Sequence, residues 1–210
     1  ARFDVIGLQE ADAGSLRSGF LNQTRYLAET AGLPFWSFQP NRSTARLAHS
    51  ANGLISRLEP RAVRDFPLPS RIPGRGAMLA EFGDGADALA ILVAHLSLSA
   101  PARARQLDYI AELLADFPHA VLMGDLNTEP GSREMQRLFQ HSRLQPPAAP
   151  TPTFPSWKPT RALDHILTTP GIEVDKSWAL PQNFSDHLPL AAEIRLPAGV
   201  GGKLVRRHRR

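Results

Sequence analysis

Short apolar runs of strand length recur along the chain. Their length and their content of branched side chains favour buried β-strands over helices. The runs occupy residues 3–8, 88–94, 120–123, 163–167 and 190–194. The sequence therefore predicts strands distributed over most of the chain and packed in one core.

Helical periodicity lies between some of these runs. In residues 101–117, apolar side chains recur at spacings of three and four, and Pro101 fits a first helical turn. Further helices are predicted over residues 16–31 and 133–139, whereas the Pro- and Arg-rich residues 34–75 predict hairpins and loops. The pattern as a whole indicates a mixed α and β fold.

Composition and charge narrow the class of protein. The 210 residues include no Cys, which excludes disulfide-rich modules, thiolate zinc sites and cysteine nucleophiles. No apolar run is long enough to span a bilayer, so no stable membrane insertion is expected. Five of the 24 basic residues lie in the last eight positions, which leaves 19 basic against 20 acidic residues elsewhere. The net charge of +4 therefore describes the C-terminal tail and does not indicate a basic nucleic-acid-binding face.

Acidic, amide and imidazole side chains lie within or beside the apolar runs. They are Glu10, His95, Asp125 with Asn127, Asp164, and Asp186 with His187. The ends of strands that pack in one core lie along the same edge of the fold, so these side chains can converge on one cleft. Bringing several carboxylates into one cleft costs free energy unless a positive charge balances them, and a bound hard divalent cation is the simplest such charge. Each residue also has an ordinary interpretation: Asp164, for instance, can pair with Arg161.

At these positions the sequence resembles the endonuclease/exonuclease/phosphatase superfamily of deoxyribonuclease-like, metal-dependent phosphodiesterases. The motifs that carry the resemblance are DVIGLQE, NGLISR, AHLSLS, GDLNTEPGS, TFPSWKPTRALDHIL and SDHLPL, in the family's order from residue 3 to residue 194. The resemblance implies an α+β fold: a four-layer α/β/β/α sandwich of two mixed β-sheets with outer helices. It also implies an active site at one edge of the sandwich.

The resemblance assigns roles position by position. Glu10 and Asp186 match metal-binding carboxylates, and the cofactor implied is Mg²⁺ or Mn²⁺. The matching catalytic positions are His95, Asp125, Asn127, Asp164 and His187, where Asp164 supports His187 and His95 contacts the scissile phosphate. Asn127 also matches a phosphate-binding position, Asn52 has an expected supporting role on the substrate side, and Arg75 is a candidate contact to substrate phosphate.

The chemistry of phosphodiester hydrolysis accounts for these residue types. The reaction needs an in-line water, a cation to neutralise the phosphate oxygens and help for the leaving alkoxide. Asp125 is suited to orient or deprotonate water, and Asn127 is a neutral donor to a phosphate oxygen. His187, hydrogen-bonded to Asp164, can be held in one tautomer and become cationic as charge builds. Which group is the base is left open.

The resemblance to the superfamily also implies a domain organisation. Residues 1–196 are expected to form one domain that lacks the family's first strand, and residues 197–210 a flexible basic tail. We expect a monomer with a cytoplasmic location, and export is left open because the N-terminus looks incomplete.

The leading functional hypothesis is a nuclease that cleaves DNA or RNA by direct attack of water. One alternative is a phosphatase or sphingomyelinase-type phosphoesterase of the same superfamily. Another is a non-catalytic or degenerate binding domain.

Overall fold

A computed structural model describes residues 3–12, 14, 21–44, 48–71, 74–182 and 184–200 of the chain. Strands and helices alternate through this part of the protein. In chain order they are β1 (Val5–Asp12), α1 (Gln23–Ala31), β2 (Phe35–Thr44), β3 (Ala48–Ser56), β4 (Ala62–Pro67), β5 (Gly76–Phe82), β6 (Leu89–His95), α2 (Ala100–Leu114), β7 (His119–Asp125), α3 (Arg133–His141), β8 (Asp164–Thr168), β9 (Glu173–Ala179) and β10 (Leu190–Arg195).

The largest sheet has five strands in the order β4-β5-β6-β7-β8. Its β6 and β7 are parallel, whereas the other neighbouring strands are antiparallel. A parallel pair needs a long crossover connection, and α2 provides it. Leu107 of α2 and Met135 of α3 pack with Leu92 and Leu122 on one face of this sheet. The crossover therefore brings the carboxyl ends of β6 and β7 to the same edge.

The other face of the large sheet packs against a second sheet. Met78, Val93 and Val121 lie in one cluster with Leu54 of β3, and β3 is the centre of a three-stranded antiparallel sheet with the order β1-β3-β2. Every residue of β5 and β6 is buried. Because both faces are covered, these strands are apolar at nearly every position and do not alternate with polar residues.

The remaining elements cover the second sheet and extend the core. Ala28 of α1 packs against Ile55 of β3. The helix begins with the Asn22 side chain accepting from the backbone N–H of Arg25 and ends at Gly32, which has a φ of 65°. β9 and β10 form an antiparallel pair, and Ile194 of β10 packs with the cluster that contains Leu54.

The mixed α+β class with several sheets is confirmed. The apolar runs correspond to β1, β6, β7, β8 and β10, and the predicted helices to α1, α2 and α3. Residues 16–20, the first part of the predicted helix over residues 16–31, lie outside the described residues. The four-layer arrangement and the absence of a first strand stay predictions. Among the described residues, no helix is both long and apolar enough to cross a membrane.

The predicted boundary between domain and tail also stays a prediction. Residues 201–210 lie outside the described part of the chain. Val200, at the start of the predicted tail, is 1% exposed and packs in the cluster with Leu54. The core therefore extends beyond residue 196 at this one position.

Candidate active site

Three predicted site residues lie side by side on adjacent strands of the large sheet. The register pairs His95 at the end of β6 with Asp125 at the end of β7. Asp125 is in turn paired with Asp164 at the start of β8. Because residues paired across neighbouring strands project to the same face, one edge of the sheet receives an imidazole and two carboxylates. The strand ends thus converge, whereas the catalytic roles of these residues stay predictions.

Gly124 allows β7 to approach β6 closely next to Asp125. Its φ is +132°, and a Cβ added there would lie 2.1 Å from the carbonyl oxygen of Ala94. Only glycine tolerates both this backbone conformation and this distance. The structure therefore requires glycine at this position of the GDLN motif, independently of catalysis.

Glu10 and Asn127 have left-handed backbone conformations, with φ of 56° and 52°. They are the non-glycine residues with positive φ in the part of the chain that the structure describes. Glu10 lies where the register of β1 shifts between Leu8 and Ala11. Asparagine tolerates this conformation, but for glutamate it costs about 1 to 2 kcal/mol. Strain of this kind is found at functional sites, where the surrounding structure maintains it.

Asp164 and His187 form a hydrogen-bonded pair. His187 Nδ1 lies 2.7 Å from Asp164 Oδ2, and the two side chains are 23% and 13% exposed. The Phe154 ring packs against the imidazole with its centroid at 4.8 Å. The hydrogen bond from Asp164 raises the pKa of His187 above its ordinary 6.5, although burial alone would lower it. Arg161, the alternative partner for Asp164, lies instead 3.4 Å from Glu129.

His95 connects Asp125 to a second group of charges, formed by Glu10 and Arg75. Arg75 Nη1 lies 2.6 Å from His95 Nδ1, and His95 Nε2 lies 3.3 Å from Asp125 Oδ2. Because a guanidinium only donates, Nδ1 accepts and Nε2 carries the hydrogen that faces Asp125. Glu10 Oε1 lies 3.7 Å from His95 Nδ1 and 3.8 Å from Arg75 Nη1. Arg75, predicted to contact substrate, is therefore also a partner of His95.

Asp125 is held in its ionised form. Burial raises the pKa of this carboxyl, but the hydrogen bonds from His95 and from the backbone N–H of Asn127 outweigh burial, so the net pKa is below its ordinary 3.8. The backbone N–H of Asn127 donates to Asp125 Oδ1 at 2.8 Å. At neutral pH, Asp125 is therefore a carboxylate that can accept a hydrogen bond from water.

The two predicted asparagines occupy different environments. Asn127 Nδ2 donates to the carbonyl oxygen of Leu96 at 2.9 Å, which fixes the amide at the strand ends. Asn52 is fully buried and donates to Gly76 O and to Gln39 Oε1, at 2.8 and 3.2 Å. Its position suits the predicted supporting role, because it holds the residue that follows Arg75.

Glu10 and Asp186, the predicted metal ligands, have exposed carboxylates. The Glu10 side chain is 65% exposed. Asp186 Oδ1 accepts from Ser185 Oγ at 3.1 Å, and the Asp186 carbonyl accepts from the backbone N–H of Ser156 at 2.7 Å. The charge of Asp186 also contributes to the raised pKa of His187, which indicates that this carboxylate is close to the Asp164–His187 pair.

The donor set fits a divalent cation. Asp125, Asp164 and His187 each offer a ligand atom, and these atoms lie within 4.8 Å of one another. Carboxylate oxygens are the ligands that hard cations prefer. The Asp164–His187 hydrogen bond, however, already uses Nδ1 of the imidazole. The three residues are therefore a candidate metal-binding cluster to which Glu10 and Asp186 do not belong, and the assignment of Glu10 and Asp186 as ligands stays a prediction.

Sequence reasoning missed two residues that contact the Asp164–His187 pair. Phe154 packs against the imidazole, and Thr153 Oγ1 lies 2.5 Å from Asp164 Oδ2. Both stand at the beginning of the TFPSWKP stretch. The position of this motif directly before the strand that carries Asp164 was the available signal. His165, which follows Asp164, is buried with Nε2 2.8 Å from the carbonyl oxygen of Thr128.

The raised pKa of His187 predicts how stability depends on pH in the metal-free protein. A raised folded-state pKa stabilises the folded protein fully below about pH 6.5, the unfolded value, and this contribution is lost as pH rises through the folded pKa. We expect the free energy of unfolding to decrease across this window in wild type and to decrease less in His187→Gln. Urea unfolding with EDTA at several pH values measures this difference. Equal slopes in the two proteins would contradict the assignment.

Comparisons with known proteins give consistent matches. Residues 1–187 match the family described as Endonuclease/Exonuclease/phosphatase family, whereas no curated protein matches the sequence. The fold is similar to an endonuclease/exonuclease/phosphatase from Beutenbergia cavernae (TM-score 0.76, 20% identity, covering 93% of this chain and 63% of that one). It is also similar to a mannosyl-6-phosphatase from Bacteroides thetaiotaomicron (TM-score 0.67, 19% identity, covering 92% of this chain and 86% of that one). A third similar structure is sphingomyelinase C from Streptomyces griseocarneus (TM-score 0.64, 17% identity, covering 90% of this chain and 85% of that one).

Proposed function

Because the chain belongs to the Endonuclease/Exonuclease/phosphatase family, we propose that it is a metal-dependent phosphodiester hydrolase, and more specifically a nuclease. The observation that carries the proposal is the row of His95, Asp125 and Asp164, completed by the 2.7 Å contact between Asp164 and His187. A buried ionised acid beside an imidazole with a raised pKa is an arrangement suited to general acid–base chemistry.

The proposed fold is the four-layer α/β/β/α sandwich. Its support is the packing of α2 and α3 on one face of the large sheet, of β3 on the other, and of α1 on β3. In this arrangement the site lies at the edge where β6 and β7 end. We retain the monomeric state and the cytoplasmic location as expectations only.

In the proposed reaction, Asp125 orients a water molecule in line with the scissile bond and accepts its proton. The water oxygen bonds to phosphorus while the bond to the leaving alkoxide breaks, with no covalent enzyme intermediate. Asp125 suits this role because its lowered pKa keeps it ionised and its Oδ1 is fixed by Asn127.

His187 assists the departure of the alkoxide. The raised pKa keeps a proton available, and the Nδ1 contact to Asp164 leaves Nε2 as the ring nitrogen that faces away from the pair. A cationic imidazole can donate that proton to the leaving oxygen or stabilise the charge that develops on it. Arg75 and the amide of Asn127 are the proposed contacts to the phosphate oxygens.

Glu10 and Asp186 are the residues that would hold Mg²⁺ or Mn²⁺, and His95 lies between Glu10 and Asp125, 3.7 Å from the first carboxylate and 3.3 Å from the second. A bound divalent cation supplies positive charge that neutralises the phosphate oxygens. Glu10 is suited to this role because its carboxylate is exposed and lies 3.8 Å from Arg75 Nη1 and 3.7 Å from His95 Nδ1, and its backbone has a strained positive φ.

A phosphatase or sphingomyelinase-type activity is the second candidate. One observation favours a small or lipid phosphoester: outside the last eight positions, acidic residues outnumber basic ones 20 to 19, so the folded body has no excess charge for binding duplex DNA. The similarity to a mannosyl-6-phosphatase and a sphingomyelinase supports the same alternative only at the level of the fold.

A substrate panel tests the proposal. Plasmid DNA, single-stranded RNA, bis-p-nitrophenyl phosphate, p-nitrophenyl phosphate and sphingomyelin are incubated with the full chain and Mg²⁺, and product is measured for each. The nuclease hypothesis predicts the highest kcat/KM for a polynucleotide, whereas a higher value for a monoester or sphingomyelin selects the alternative. A folded protein that hydrolyses none of them supports a non-catalytic binding domain.

A further inference from the structure

Thr153 joins the two segments that carry the Asp164–His187 pair. It is fully buried. Its backbone N–H donates to the carbonyl oxygen of Arg161 at 2.9 Å, three residues before Asp164. Its carbonyl oxygen accepts from the backbone N–H of Leu188 at 2.9 Å, next to His187. The backbone N–H and carbonyl of Thr153 are thus hydrogen-bonded to the segment before Asp164 and to the segment after His187, respectively.

The hydroxyl of Thr153 contacts the oxygen that holds the imidazole. Thr153 Oγ1 lies 2.5 Å from Asp164 Oδ2, and the same oxygen lies 2.7 Å from His187 Nδ1. An ionised carboxylate only accepts, so the hydroxyl is the donor. The distance is at the short end of the range for O–H···O⁻ hydrogen bonds, which are stronger than neutral ones.

A second donor matters because rotation of a carboxylate about its terminal torsion is weakly restricted. The χ2 angle of aspartate has a broad distribution, so one hydrogen bond to an imidazole does not fix the carboxylate plane. Threonine is β-branched and stiff at χ1, and here its backbone is hydrogen-bonded on both sides. The hydroxyl therefore provides a fixed reference point for Asp164, which in turn orients the imidazole.

We propose that Thr153 is a positioning residue that fixes the Asp164 carboxylate, and through it the His187 ring, in the orientation required for hydrolysis. The catalytic part of this inference rests on the proposed function. Thr153 itself does not touch the substrate in this proposal, because it is fully buried behind Asp164.

Two substitutions at this position separate the hydroxyl from the shape of the side chain. Thr153→Val keeps the volume and branching and removes the donor, whereas Thr153→Ser keeps the donor and removes a methyl group. We expect Thr153→Val to lower kcat by about 10- to 100-fold with KM nearly unchanged, by analogy with the loss of a hydrogen-bond partner that orients a metal ligand. Thr153→Ser should restore most of kcat, because the serine hydroxyl can reach the same oxygen.

A spectroscopic measurement tests the positioning without any assay of activity. In the metal-free full chain, the hydrogen-bonded Nδ1 proton of His187 gives a downfield proton NMR signal, assigned by its loss in Asp164→Asn. We expect this signal to shift or broaden in Thr153→Val and to be preserved in Thr153→Ser. An unchanged signal in Thr153→Val would overturn the inference, even if the wild-type protein hydrolyses no phosphoester.

A double-mutant comparison covers the case in which Thr153→Val is less stable than wild type. If Thr153 acts through Asp164, Thr153→Val should cause no further loss of kcat in the Asp164→Asn background. An additional 10-fold loss in that background would show a structural effect unrelated to Asp164. Absence of activity in wild type refutes the proposed function and leaves the NMR result to decide the role of Thr153.

Discussion

Removal of divalent cations with EDTA is expected to abolish hydrolysis, and Mg²⁺ or Mn²⁺ to restore it. The site gathers Glu10, Asp125, Asp164 and Asp186 against Arg75 and His187, so the substrate phosphate meets an excess of negative charge. A cation worth several kcal/mol of charge stabilisation corresponds to a loss of about 10³-fold or more in kcat/KM. The measurement is turnover of the best substrate over a titration of metal after exhaustive chelation.

A matched pair of carboxamide variants locates the cation. Glu10→Gln removes one charge at the cleft and should raise the Mg²⁺ concentration needed for half-maximal activity. Asp116→Asn removes the same charge from an exposed position just before β7, at the opposite end of the strand from Asp125, and should leave the metal dependence unchanged. Full activity in EDTA would contradict the metal-dependent mechanism, and equal metal dependence in the two variants would contradict the assignment of Glu10 as a ligand.

The convergence of the site was predictable because it depends on strand ends. His95 and Asp125 each terminate an apolar run of strand length, and Asp164 lies within another such run. Once the helix at Ala100–Leu114 connects β6 to a parallel β7, the carboxyl ends of these strands must meet. The apolar periodicity and the polar residues at the ends of the apolar runs were therefore sufficient to predict that His95 and Asp125 lie close together.

Two strands were missed for different physical reasons. β5 includes three small residues and a buried Glu81 that pairs with Arg61 and Arg64, so the sequence lacks a run of branched residues there. β9 is mostly exposed and polar, and among the described strands it pairs only with β10, so it lacks the apolar run of a buried strand. Neither strand carries a predicted site residue, although β5 begins at the residue that follows Arg75.

The contacts between site residues could not be derived from residue order. The hydrogen bonds from Arg75 to His95 and from Thr153 to Asp164 join residues that are distant in sequence and depend on where loops place them. The left-handed conformation of Glu10 follows from a bulge in the pairing of β1 with β3. Nothing in the DVIGLQE stretch alone marks that bulge, because its register is set by the partner strand.

Replacement of His187 by alanine is expected to lower kcat by about 10² to 10⁴-fold, the usual contribution of general acid–base assistance. The variant removes both the proton donor and the positive charge beside the leaving group, while KM for the phosphate should change little. Steady-state kinetics with Mg²⁺ held at saturation separates these two quantities. The matched control is His141→Ala, an exposed histidine at the end of α3, for which we expect wild-type kinetics.

Asp164→Asn tests whether His187 works as part of a pair. An asparagine at this position keeps the size of the side chain but removes the charge that raises the pKa of His187. We expect a loss in kcat close to that of His187→Ala, and a double variant no worse than either single one, because residues that act as a unit are strongly non-additive. Multiplicative losses would show that the two side chains act independently. A folded His187→Ala protein with full activity would remove His187 from the catalytic mechanism altogether.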